Sequence, residues 1–286
     1  MLLNNHNRTI ITGANGFIGT HLVHHLHQAG YSVVAWVHHL SHQQLEGVEY
    51  VLYDMASGLD HTHRIHAGDI FIHCAYHPTH SHSPDLNLTG LQLLLQETRR
   101  QGAARHIFFS SMAARENTTS AYGQYKYQAS LLFGEKDAVL TTGLVIGSGG
   151  LFKRTLSFIR NTTCIPTVQG GNMPLYYVGI DEVVQLVHEI IRQNLHGHFL
   201  AAHPEPATYI SLYRQAAKKM GIKTIRINVP VWLMKQLIWM NSGLKKPWVT
   251  RDNLNGLLEL KKMEDIEKYQ VNTIPFRALE DTLSKL

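Results

Sequence analysis

Short apolar runs alternate with longer amphipathic segments through the first two thirds of the chain. RTIITGA, SVVAWV, VEYVLYD, DIFIHCA, RHIFFSS and AVLTTGLVIG are rich in β-branched and aromatic residues. Turn-forming residues bound them, and each predicts a strand of the kind buried on both faces of a parallel sheet. Between them lie a helix from about Gly16 to Ala29, the segment LNLTGLQLLLQETRRQG with leucines at helical spacing, and a helix carrying YGQYK. Strand-helix alternation of this kind predicts an α/β fold built on a doubly wound parallel sheet. From Ser148 the rhythm loosens into a glycine pair, a helix through LFKRTLSFIR, the run IPTVQGGNMPLYYVGIDEVVQLVHEIIR and a mixed C-terminal stretch. That part predicts a smaller mixed α/β lobe for substrate. The expected division is 1–147 with 175–203 for the dinucleotide domain and 148–174 with 204–286 for the substrate lobe. No internal repeat or low-complexity linker separates them, so the lobes are expected to pack directly with a cleft between.

Composition narrows the classes. A chain of 286 residues with 44% apolar content can bury a sizeable core. Cys74 and Cys164 are too few for a disulfide framework and sit among apolar residues, which predicts free thiols in a reducing compartment. The N-terminus has no charged, apolar and small-residue succession of a secretory signal, and no run of 18 apolar residues occurs, so a cytoplasmic chain with no transmembrane segment is expected. The net charge of +5 comes from 26 basic and 21 acidic residues scattered along the chain. Scatter favours a small anionic ligand over nucleic acid. The 20 histidines cluster locally, and His77, His80 and His82 have metal-like spacing. They lack the paired arrangement of a dedicated site, so no metal is expected.

TGANGFIG, between the first strand and first helix, places Gly13, Gly16 and Gly19 where a chain must turn tightly against a pyrophosphate. The following helix aims its free N–H groups and positive dipole end at that anion, so the segment predicts dinucleotide binding. An acidic residue at the end of the second strand would accept from the ribose 2′-hydroxyl of NAD. AWVHHLS has none and places His38 and His39 there, which tilts the expectation slightly from NAD towards NADP. Asp54, after the third strand, is placed either to contact adenine or to cap a turn.

In SAYGQYKYQAS, Tyr122 and Lys126 are four residues apart, one turn on the same face of a helix. Taken together, TGANGFIG, FFSSMAA and YGQYK resemble the short-chain dehydrogenase/reductase superfamily, in its extended branch of NAD-dependent epimerases and dehydratases. IHCAYHP, Asn87, GLVIGSGG and YYVGIDEVVQLV are also similar to that branch, so the resemblance covers most of the chain. It implies a Rossmann fold and a catalytic set of Ser111, Tyr122 and Lys126. It further implies cofactor contacts from Gly13, Asn15, Gly16, Phe17, Ile18 and Gly19 in the loop, and from His38, Asp54 and Met55 after the second and third strands. Cys74, Ala75, Tyr76 and Asn87 after the fourth strand, Tyr122 and Lys126, and Gly143, Leu144 and Val145 complete the implied contacts. A phenol with an ordinary pKa near 10 needs help to exchange a proton with an alkoxide, and the Lys126 ammonium would supply it. Ser111 would hold the substrate oxygen. Tyr125 and Tyr127 read as packing or surface residues.

Departures from the family pattern narrow the reaction. Sugar dehydratases of the branch carry an acidic pair after the catalytic serine or threonine, where Met112 and Ala113 stand here. Thr141-Thr142 replaces the usual Arg-Pro. The resemblance implies reduction, oxidation or epimerisation, most plausibly at C4 of a nucleotide sugar in cell-surface polysaccharide synthesis, by a homodimer. The alternatives are an NADPH-dependent reductase of another carbonyl compound and a non-catalytic NAD(P)-binding sensor or assembly protein. In INVPVWLMKQLIWMNSGLKKPW, Trp232, Met234, Leu237 and Ile238, flanked by Lys235, Lys245 and Lys246, predict lobe packing, with a membrane or partner surface as the alternative.

Overall fold

A computed structural model describes residues 8–42, 44–60, 63–77, 85–240, 249–263, 265–270 and 274–286. His80, His82, Lys245 and Lys246 lie outside them. The chain opens as β1 (Thr9–Thr12), α1 (Phe17–Gln28), β2 (Val33–Val37), β3 (Glu49–Leu52), β4 (Ile70–His73), α2 (Asp85–Arg100), β5 (Arg105–Ser111), α3 (Ala121–Ser130) and β6 (Ala138–Thr142). It continues through β7 (Leu144–Ile146), α4 (Gly150–Thr162), β8 (Cys164–Thr167), β9 (Pro174–Leu175), β10 (Tyr177–Gly179), α5 (Ile180–Arg192) and β11 (Gly197–Ala201). The last part adds β12 (Ala207–Thr208), α6 (Tyr209–Lys219), β13 (Ile225–Asn228), α7 (Val231–Met240), α8 (Arg251–Leu258) and α9 (Leu279–Leu283).

Seven strands form one sheet in the order β11-β6-β5-β4-β1-β2-β3. β1 pairs in parallel with β2 and β4, β2 with β3, and β4 with β5. The order runs outward from β1 in both directions, as a doubly wound sheet does. β1, β2 and β4 are buried at every residue, which is why their sequences read as continuous apolar runs rather than alternating ones. The expected single strand AVLTTGLVIG is instead two. Gly143 breaks it, and β7 leaves the large sheet to pair with β10. A Cβ at Gly143 would lie 2.5 Å from the Tyr176 carbonyl oxygen, so only glycine lets the strand make this change of partner.

Two compact units result. The first comprises Met1–Ser110, Tyr125–Leu140 and Val184–Phe199; the second comprises Ser111–Gln124, Thr141–Val183 and Leu200–Leu286. The first packs Leu91, Leu95, Phe108, Tyr125, Ala129 and Val139 into one of its cores. The second has its own core, in which Phe152, Ile159, Ile165, Leu212 and Tyr213 meet. Its small sheets pair β7 with β10, β9 with β12 and β8 with β13.

One polar pair in the first unit has a measurable consequence. His73 of β4 and His106 of β5 are stacked, ring centroids 5.2 Å apart, with Nε2 of His73 3.0 Å from Nδ1 of His106. Phe71 and Phe133 flank them. His73 Nδ1 and His106 Nε2 are buried with no hydrogen-bond partner among the described residues. Burial lowers both pKa values, His73 well below the usual range and His106 to about 4. Arg99 pushes both the same way, Lys126 lowers His73, and Asp137 opposes the shift at His106. Both folded-state values are depressed, so the stability from keeping the pair neutral is complete above about pH 6.5 and lost as pH falls towards 4. Each histidine adds a slope of up to about 1.4 kcal/mol per pH unit in that window. Replacing the pair together, His73→Phe with His106→Leu, is expected to flatten the fall in melting temperature across this range. A double variant as acid-sensitive as its parent would place the acid response elsewhere.

Candidate active site

The phosphate loop is built as its glycines require. Gly13 has φ +68°, and a Cβ there would lie 2.7 Å from Ala75 Cα and N. A Cβ at Gly19 would come 2.4 Å from the Gly13 carbonyl oxygen, so the start of α1 lies directly against the loop. Gly16 caps α1, no side chain caps its N–H groups, and no acidic residue stands in the first turn. Phe17 and Ile18 occupy that turn half-buried. An uncapped helix start with no negative charge fits a pyrophosphate.

At the adenosine end, Asn15 Nδ2 donates to the His39 carbonyl oxygen at 2.5 Å. His38 is exposed, and its Nε2 lies 3.6 Å from Asp54 Oδ2. The other Asp54 oxygen accepts the Ala56 N–H at 2.9 Å, closing the turn after β3. This corrects the premise of the NADP tilt. The sequence has no acid after β2, but the fold brings the Asp54 carboxylate beside His38, so the lack of a nearby negative charge on which the tilt rested does not hold. The tilt towards NADP is therefore withdrawn.

The loop after β4 is held from two sides. The Cys74 N–H donates to the Thr12 carbonyl at 3.1 Å, and the Ala75 N–H reaches Thr12 Oγ1 at 3.4 Å. Buried Asn87 accepts from the His77 N–H at 2.8 Å and donates to the His77 carbonyl at 2.9 Å. Met55 packs near Leu91, and the Tyr76 ring lies 5.5 Å from Tyr125. Among the described residues no group of three or more His, Cys, Asp or Glu is placed to hold a metal ion.

Lys126 is 4% exposed. Its Nζ donates to the Phe109 carbonyl at 2.6 Å and lies 4.6 Å above the Phe108 ring. Burial lowers its pKa to about 8, with only a weak opposing pull from Cys74. Burial raises the Cys74 thiol to about 12, so it is neutral at ordinary pH.

In the second unit, Ser111 ends β5 and its Oγ accepts the Ala113 N–H at 3.2 Å. Met112, in place of an acid, packs beside Tyr176, Leu200 and Ala202. Tyr122 stands in the first turn of α3, one turn before Lys126 on the same helix. A Cβ at Gly123 would lie 2.4 Å from the Ala113 carbonyl oxygen, so glycine brings the start of α3 against the turn that follows Ser111. Gly143 donates its N–H to Ala201, Leu144 donates to Tyr176 at 2.7 Å, and Val145 pairs with Val178.

Sequence reasoning missed the residues that brace Tyr122. Asp252 Oδ1 accepts the Ala121 N–H at 2.7 Å. Glu259 accepts from Thr118 Oγ1 and from the N–H and hydroxyl of Thr119, and Arg115 donates to its carbonyl. These contacts join α8 to the start of α3 across more than 130 residues of sequence, and no local pattern announces them. The other face of α8, with Asn253, Leu254 and Leu257, forms one wall of a hollow of about 590 Å3 including its open mouth. Leu144, Thr155, Val168, Leu175, Tyr213 and Met234 are among its other walls.

Residues 9–134 match the NAD dependent epimerase/dehydratase family. No curated protein matches the sequence. The structure is similar to the Bordetella bronchiseptica enzyme WbmH in complex with NAD+, with TM-score 0.68 and 15% identity over 97% of this chain and 96% of that one. It is similar to a UDP-galactose 4-epimerase, with TM-score 0.61 and 17% identity over 98% and 99%. The Thermotoga maritima UDP-glucose 4-epimerase with UDP-glucose gives TM-score 0.62 and 21% identity over 78% and 85%.

Proposed function

Since residues 9–134 of this chain match the NAD dependent epimerase/dehydratase family, we propose that it is an oxidoreductase moving hydride between NAD and a secondary alcohol or ketone. The observation that carries the reading is Lys126. An ammonium buried to 4% exposure is costly to the fold, and this one stands one turn after a tyrosine on α3, in a chain whose β1–α1 turn has the form of a dinucleotide loop. Bound NAD would supply the hydride acceptor, held by the Gly13–Gly19 loop and α1. Tyr122 exchanges the proton with the substrate oxygen, Lys126 lowers the pKa of that phenol, and Ser111 orients the oxygen.

Met112 and Ala113 offer no carboxyl group to work on a neighbouring carbon, which favours simple redox or epimerisation over dehydration. Nucleotide sugars, oxidised or reduced at C4, are the first substrates to test, because the structural relatives include UDP-sugar epimerases. A carbonyl compound without a nucleotide is the second reading, favoured by the apolar hollow of the second unit.

Denaturing freshly purified protein and identifying the released nucleotide tests the cofactor and the reaction type together. Stoichiometric NAD is expected for an epimerase, which must keep its cofactor through both half-reactions. A site that is empty but titrates with NAD is expected for a reductase. Released NADP, or no binding of NAD, would overturn the NAD assignment.

A further inference from the structure

We infer that the part of the substrate remote from the reacting carbon is an uncharged apolar group, a ring or branched chain, seated in the hollow of the second unit. This rests on the hydride-transfer reading in its second form, a carbonyl compound without a nucleotide, and names its substrate class.

Two observations place the hollow at the reacting end of the second unit. Its α8 wall is tied through Asp252 to Ala121, the residue before Tyr122, and through Glu259 to Thr118 and Thr119. Its Leu144 wall belongs to the Gly143–Val145 segment, for which the family resemblance implies cofactor contacts. A substrate lying here is anchored by the same element that positions the catalytic tyrosine.

The chemistry of the lining selects the occupant. Leu144, Leu151, Val168, Leu175, Leu254 and Leu257 dominate it, and among the described residues that line it none is Lys, Arg or His. Its polar residues are Thr155, Tyr209, Tyr213 and Asn253, and three of them hold one another or the chain. Asn253 Oδ1 accepts the Thr250 N–H in the capping box of α8, and Thr155 is hydrogen-bonded to Tyr213. A nucleoside diphosphate buried against these walls would meet no cation among the described residues, whereas an apolar group matches the leucine and valine surface that makes up most of them.

The test uses the whole protein and the uncharged fluorescent probe N-phenyl-1-naphthylamine, with UDP as competitor. Saturable binding is expected, with no displacement by millimolar UDP. Val168→Trp, which fills the hollow, and Leu257→Asn, which keeps the branched shape of the side chain and makes the wall polar, are each expected to weaken the probe at least about tenfold. NAD binding, as a check of folding, should be unchanged, and either variant suffices if the other fails to fold. Trp232→Ser, on the exposed side of α7, should bind the probe as the parent does. Displacement by UDP would overturn the inference, and so would probe binding that ignores both substitutions or is lost with Trp232→Ser. Tyr122→Phe should bind the probe normally, so a failed catalytic reading and a failed apolar-substrate reading give different results.

Discussion

Tyr122→Phe is expected to lower kcat by about 10²–10⁴-fold, the usual worth of a positioned general acid. The ring and its half-buried packing remain and only the hydroxyl goes, so NAD affinity and melting temperature should stay close to the parent's. The size of the loss follows from what the hydroxyl does. Hydride arriving at a carbonyl carbon leaves an alkoxide that water protonates poorly in a closed site, and Ser111 can orient that oxygen without donating a strong acid's proton. Activity in the reducing direction should also fall above about pH 8, where Lys126 loses the charge that keeps the phenol competent. If Tyr122→Phe kept parental turnover on every substrate the parent uses, the catalytic assignment would fail. If the parent turned over nothing yet its cellular role survived the substitution, the chain would be an NAD-binding sensor instead.

The parts legible in the sequence are those that local chemistry dictates. β1, β2 and β4 carry their burial in an unbroken apolar run, and the Gly13–Gly19 loop carries its tight turn in Gly13 and Gly19, where a Cβ would clash with backbone. Tyr122 and Lys126, one helical turn apart, are legible in their spacing, whereas Ser111 at a strand end and the pairing of the three are implied only by the family resemblance. What stayed hidden is set by pairings across long stretches of chain. The break at Gly143 is invisible in AVLTTGLVIG because the clash it avoids is with Tyr176. β11 joins the sheet as a seventh strand from GHFLA, too short and too polar at its start to stand out. The approach of Asp54 to His38 depends on how the turn after β3 folds back, and the hold of Asp252 on Ala121 depends on where α8 lands. Each is a tertiary contact between segments that read as ordinary by themselves.

Lys126→Met should give the less expected result, a protein that loses catalysis and gains stability. Burial lowers the Lys126 pKa from 10.5 to about 8. That shift is worth up to about 3 kcal/mol at 1.36 kcal/mol per pKa unit. The sign is set by which state holds the proton. Below pH 8 both states carry it, and the folded chain bears the cost of a desolvated ammonium. Between about 8 and 10.5 the unfolded chain keeps a proton that the folded chain releases, so the parent should become more stable as pH rises through this window. Cys74 beside it stays neutral there, since its thiol titrates only near 12. Methionine fills a similar volume without the charge, forfeiting among other contacts the bond to the Phe109 carbonyl, worth about 1 kcal/mol, and the ammonium's place over the Phe108 and Tyr125 rings. The net gain expected at neutral pH is roughly 1–2 kcal/mol, read as a rise of a few degrees in melting temperature, with the high-pH gain of the parent abolished. kcat should fall by at least about 10²-fold, because the phenol of Tyr122 returns towards its ordinary pKa. A variant less stable than its parent at pH 7, or a parent whose stability is flat from pH 8 to 10.5, would show that the buried ammonium is not strained. The fold would then tolerate Lys126 at no cost, and the lysine would no longer single out this helix as the place where stability is given up for chemistry.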